Sequence, residues 1–143
     1  MTGEKVDLHR TIQIGFDVLN LLAERFRQEM GRRFDEVWKE ALSHLDGFAG
    51  ELFVDIAPYR ENADLNITIL RTRYEDREGD KDEGMVLDAF TELIGEVIPP
   101  VRKHLGERLV EEAIEEAAGI LAIIGKYQKD MVIAERLKQR LRG

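Results

Sequence analysis

The feature that most constrains the fold is the apolar pattern near the start of the chain. Leu8, Ile12, Gly15, Leu19, Leu22 and Phe26 follow a 4-3-4-3-4 spacing, the a/d seam of a packed helix. A second stripe, Ile14, Val18 and Leu21, runs beside it. Arg10, Gln13, Asp17, Glu24 and Arg27 occupy what remains of the circumference. A helix that is apolar on two faces must be covered on two sides. The spacing predicts a helix over about 6–30, and a second subunit is one candidate for its second cover. On that reading Leu8, Ile12, Ile14, Val18 and Leu19 form an interaction surface.

A second helix is expected over about 34–49. Phe34, Val37, Trp38, Ala41, Leu42, Leu45 and Phe48 form its stripe, and Gly50 follows as a C-cap. The period then changes. Leu65, Ile67 and Ile69 alternate with Asn66 and Thr68, β-branched and aromatic residues are frequent, and Pro58 opposes a continuous helix. Residues 51–74 therefore read as an antiparallel β-hairpin turning at Arg60–Asp64. Arg71 and Arg73 would project from one face of its second strand, either toward an acidic partner or an anionic ligand or as protection of the edge. A lone hairpin is marginal in water. Two of them meeting edge to edge would form a four-stranded sheet, which points to a homodimer.

A charged loop, Glu75–Gly84, leads to a helix over about 85–98, ended by Pro99-Pro100. Another is expected over 100–124, burying Val101, Leu105, Leu109, Ala113, Ala117, Ile120, Leu121 and Ile124. Either a last one spans 131–141 with Asp130 as its N-cap, or the 100–124 helix runs straight through. The resulting expectation is a mostly helical α+β fold in one domain, 1–143. It has four or five helices packed like a bundle and one inserted hairpin.

Composition narrows the function classes. The 143 residues suffice for a core without staples, and the absence of cysteine removes disulfides and thiolate chemistry. With 43% hydrophobic and 35% charged residues, neither disorder nor a membrane span is expected. The net charge of -8 argues against nucleic acid or an anionic membrane as partner. The first ten residues lack the pattern of a secretory signal, so a cytoplasmic location is expected. The Glu-, Arg- and Lys-rich, cysteine-free composition resembles that of thermophile proteins.

Groups capable of chemistry are few. His9, His44 and His104 form no metal-binding pair, and Ser43 is poorly placed to use His44 as a base. The run EEAIEEA resembles the E-E-x-x-E element with which all-α nucleotide pyrophosphohydrolases bind magnesium; Glu111, Glu112 and Glu115 match it. The second Glu-x-x-Asp element of that family is missing, because Tyr127 stands three positions before Asp130. The leading expectation is a non-enzymatic, self-associating interaction or regulatory module without a cofactor, a homodimer with a possible further protein partner. Two alternatives stand beside it. One is a ligand-sensing domain of signal transduction with a pocket lined by Phe16, Phe48, Phe53, Phe90 and Trp38. The other is a magnesium-dependent hydrolase using the helical glutamates.

Overall fold

Asp7 opens the first helix, α1 (Leu8–Met30): its backbone is extended and its carboxylate accepts the Arg10 amide at 3.0 Å. Gly31 closes the helix at φ 61°, a conformation that favours glycine, and returns its N–H to the Arg27 carbonyl. The structure, a computed structural model, describes residues 7–79 and 82–143. Six more helices follow among those residues: α2 (Arg33–Ser43), α3 (Gly47–Phe53), α4 (Ala63–Glu75), α5 (Glu83–Leu105), α6 (Glu107–Ile124) and α7 (Met131–Arg142). Short 3-10 turns stand at Arg60–Asn62 and Gln128–Asp130. Residue 6, the expected start of the first helix, and residues 80 and 81 of the charged loop lie outside the described residues.

The two longest helices, α1 and α5, form the centre. α1 packs against α2, α4, α5, α6 and α7, and α5 against α1, α2, α3, α6 and α7. Both stripes of α1 are thereby covered from within the chain. Gly15 marks the closest approach: a Cβ there would lie 2.6 Å from the Phe90 ring. Phe90 in turn meets Phe16 and Phe53 edge to face, with centroids 5.5 and 5.1 Å apart. No helix among the described residues is long and apolar enough to cross a membrane.

The expected α+β class is corrected: the described residues hold no strand, and the segment read as a hairpin comprises the end of α3, an irregular stretch over 54–59, a 3-10 turn and most of α4. Asn66, Leu70 and Tyr74 are the buried positions of α4, at i, i+4 and i+8. The stripe begins with a polar residue, so the hydrophobic period looked like two. Asn66 is buried because its Nδ2 donates to the Ala57 carbonyl at 2.6 Å. Leu65, which completed the apparent alternation, is exposed. Without strands, the edge-to-edge route to a dimer is lost.

Two boundaries also move. The expected 34–49 helix divides at Ser43, and α3 restarts at Gly47, whose φ is 56°. Gly50 lies inside α3, where a Cβ would stand 2.8 Å from the Leu45 carbonyl; it permits a close backbone approach rather than a cap. Pro99 and Pro100 do not end a helix, since α5 continues through them to Leu105. An internal proline costs about 3 kcal/mol. Val97, Ile98 and Val101 are buried across the same turns, and each such side chain returns about 1.5–3 kcal/mol. Burial outweighs the local penalty, and the break falls instead at Gly106, φ 86°.

Candidate functional site

The residues expected to form an interaction surface are mostly inside. Ile12, Ile14, Val18 and Leu19 are at most 2% exposed, and Leu8 is half-buried against the same core. Arg71 and Arg73 lie on α4 and act separately. Arg71 donates to His9 Nδ1 at 2.7 Å, joining α4 to α1. Arg73 donates to the Leu52 and Val54 carbonyls at 2.8 and 2.7 Å, supplying donors at the C-terminus of α3. Of the aromatic residues expected to line a sensor pocket, Phe16 and Phe53 each pack on Phe90 in the core, Trp38 is buried with its Nε1 donating to the Ile56 carbonyl at 2.7 Å, and Phe48 is partly buried and lines an open groove of about 470 Å³ with Leu52, Arg73 and Arg77.

Glu111, Glu112 and Glu115 are exposed on α6. Glu111 pairs with Arg102 at 3.3 Å and Glu112 with Arg108 at 3.9 Å. Among the described residues no three His, Cys, Asp or Glu side chains converge as a metal site. His44 Nδ1 stands 3.4 Å from a Glu96 carboxylate oxygen of α5. Asp130 precedes α7 as expected, but its side chain makes no cap hydrogen bond. Its carboxylate, 2% exposed, receives Arg10 Nε at 3.2 Å and Nη2 at 2.8 Å, a two-point clasp between α1 and the start of α7. That hydrogen-bonded partner raises the Arg10 pKa above its ordinary value.

Two surfaces were missed in the sequence. The first is apolar. Six large hydrophobic side chains are exposed among the described residues, and four of them fall within 120–131: Ile120 (39%), Ile123 (62%), Tyr127 (64%) and Met131 (45%). Scattered apolar exposure is ordinary, whereas concentration in one stretch marks a contact surface. Gly119 adjoins it, and a Cβ there would meet nothing within 4 Å. Glu115 on one side of the stretch, and Lys126 and Lys129 on the other, have no ion-pair partner among the described residues.

The second surface surrounds Tyr59, which separates two open grooves of about 410 and 430 Å³. The Arg27 guanidinium lies 4.4 Å from the Tyr59 ring centroid, and the Tyr59 hydroxyl donates to Asp35. Burial, with help from the Asp35 hydrogen bond and charge, pushes the hydroxyl pKa up to about 12, while Arg27 opposes the shift. Nearby, desolvation raises the Asp17 carboxyl pKa against the pull of Arg10 and Arg60. The smaller groove is lined by Asn20, Glu24, Arg27 and Gln28 of α1 and by Tyr59, Arg60 and Glu61. Asn20 is 7% exposed, and its side-chain oxygen has no hydrogen-bond partner. Such a group costs about 1–3 kcal/mol unless something satisfies it. The signal was present in the sequence: Phe16, Asn20 and Ala23 stand at i, i+4 and i+7, an apolar row interrupted by an amide. No protein-family model, curated protein or solved structure matches this chain.

Proposed function

We propose that the protein is a non-enzymatic, cytoplasmic interaction module that self-associates through the end of α6 and the start of α7. The exposed run Ile120, Ile123, Tyr127 and Met131 carries this reading. α1 cannot serve the purpose, because its apolar faces are already covered by the chain's own helices.

Charge selects a second copy as the occupant. A two-fold axis between Ile120 and Ile123 would run two α6 helices antiparallel. Glu115 then stands about 10 Å to one side of the axis, at 1.5 Å of rise per residue, and Lys126, two residues past the end of α6, lies to the other. Each unpaired glutamate of one copy faces the unpaired lysines of its partner. Ile123 of one copy falls near Gly119 of the other, where the missing side chain leaves a shallow seat. A standard interface takes about 800 Å² from each partner, so the charged flanks must join the apolar centre.

Sedimentation equilibrium at micromolar concentration tests the reading. The expected mass is twice the 16.5 kDa of the chain. Ile123→Glu should give a folded monomer with an unchanged far-ultraviolet spectrum, since the side chain it replaces is exposed. A wild-type protein that sediments as a monomer at this concentration overturns the proposal.

A further inference from the structure

The exposed apolar run is divided by a turn. Ile120 and Ile123 stand on α6, whereas Tyr127 and Met131 stand beyond its end at Gly125. Their relative placement therefore depends on how residues 125–130 are held. The backbone bonds of the turn are local. Lys126 N–H donates to the Ile123 carbonyl at 3.2 Å, Tyr127 N–H to the Ile124 carbonyl at 3.1 Å, and Asp130 N–H to the Tyr127 carbonyl at 2.9 Å. Such bonds shape the turn without fixing it against the rest of the molecule. Lys126, Tyr127 and Lys129 are exposed, and among the described residues between Leu121 and Ile133 only Asp130 is buried.

That one buried point is an ion pair. An aspartate before a helix ordinarily turns its carboxylate back onto the first-turn amides, but Asp130 makes no such bond to α7. Its two oxygens go instead to Arg10, 120 positions earlier, at 3.2 Å from Nε and 2.8 Å from Nη2. Arg10 is itself held in place. Asp7 accepts its backbone N–H at 3.0 Å, and Gln13 Oε1 accepts from its Nη1 at 2.9 Å. A buried ion pair is a poor source of stability, because desolvation offsets the attraction; its best-attested use is to select one arrangement among several. A two-point contact fixes orientation as well as distance.

We infer that the Arg10–Asp130 clasp controls self-association by holding the turn that joins the two halves of the surface, an inference that rests on the self-association reading above. With the clasp closed, Tyr127 and Met131 are kept in register with Ile120 and Ile123. With it open, the helices stay folded, the two halves lose their fixed relation, and affinity for a second copy falls. Arg10 and Asp130 are thus positioning residues that act through the turn. The coupling is reciprocal: a second copy seated across both halves steadies the turn and favours the closed clasp.

The test measures the dimer dissociation constant by sedimentation, and hydrogen exchange of the amides over 125–131, in the full-length wild type, Asp130→Asn and Arg10→Gln. Both variants should keep the wild-type far-ultraviolet spectrum, exchange faster over 125–131 and associate at least about tenfold more weakly. Gly15→Ala is the control for a merely structural role. It disturbs the core at Phe90, on the side of α1 that faces α5, and should lower Tm while leaving the dissociation constant at the wild-type value. A wild type that is monomeric removes the self-association reading and this inference with it. A dimeric wild type whose folded Asp130→Asn and Arg10→Gln variants associate equally well overturns this inference alone. So does a loss of affinity that merely tracks the loss of stability, Gly15→Ala included. If neither clasp variant folds, Arg10→Lys decides, because it keeps the charge but offers a single point of attachment. Weakened association is expected of it, and wild-type affinity overturns the inference.

Discussion

Tyr59 and Asp130 show what single side chains contribute and how the contribution can be read out. The Tyr59 hydroxyl has a pKa of about 12 in the folded chain, against about 10 when unfolded. Between those values the unfolded chain has lost the proton and the folded chain keeps it, so rising pH favours unfolding. The stability linked to Tyr59 is thus whole below pH 10 and is lost as the pH climbs toward 12. Tyr59→Phe should cost about 1 kcal/mol near neutrality, by losing the bond to Asp35. Its denaturant midpoint should also fall less steeply than that of the wild type across that alkaline window. The Arg10–Asp130 clasp is asymmetric, the two side chains being 35% and 2% exposed. Arg10→Ala leaves a buried carboxylate without its cation and should cost about 3–5 kcal/mol. Asp130→Ala leaves a guanidinium that can turn to water, and about 1–2 kcal/mol is expected. Urea titration of the two variants checks the order; equal losses would refute it.

At the scale of elements, legibility depended on whether the buried row was apolar from end to end. The seam of α1 was, although Thr11 and Asn20 are buried beside it, and it included Gly15 for a reason that packing makes plain. The Phe90 ring stands where a Cβ would be. Gly15→Ala gains up to about 1 kcal/mol of helix propensity but must displace a ring locked between Phe16 and Phe53. Overpacking of this kind costs about 1–3 kcal/mol, so a net loss and a lowered Tm are expected; a raised Tm would show that the core yields. α4 was illegible because Asn66 heads its buried row and Leu65 faces solvent, a pattern that mimics a strand. The end of α5 was misplaced for a different reason. Proline is a local signal, whereas the burial of Val97, Ile98 and Val101 depends on helices far away in sequence. α6 starts after Gly106 and buries Val110, Ala113, Ile114, Ala117, Ala118 and Leu121, so Ile120, expected inside, falls off its buried face.

On the scale of the whole molecule, the two apolar faces of α1 pointed to a second subunit, but the exposed large apolar side chains lie elsewhere. α1 is enclosed by its own chain, and the unburied apolar area sits at the turn from α6 to α7. No seam arithmetic could locate it, because exposure there is decided by where α1, α5 and α7 leave off. The distribution of charge around that surface makes the mode of association testable apart from its existence. In the proposed antiparallel arrangement Glu115 would meet Lys126 across the two-fold axis. Glu115→Lys alone sets lysine against lysine twice per dimer, and Lys126→Glu sets glutamate against glutamate twice. Each should weaken dimerisation about tenfold or more at low salt, and less at high salt as screening takes over. The double variant Glu115→Lys, Lys126→Glu restores opposite charges at both contacts and should recover most of the lost affinity. Sedimentation of the four proteins at two ionic strengths gives the coupling directly. Recovery in the double variant would place the axis between Ile120 and Ile123. Two independent losses that simply add would mean that the copies meet in another register or through another face.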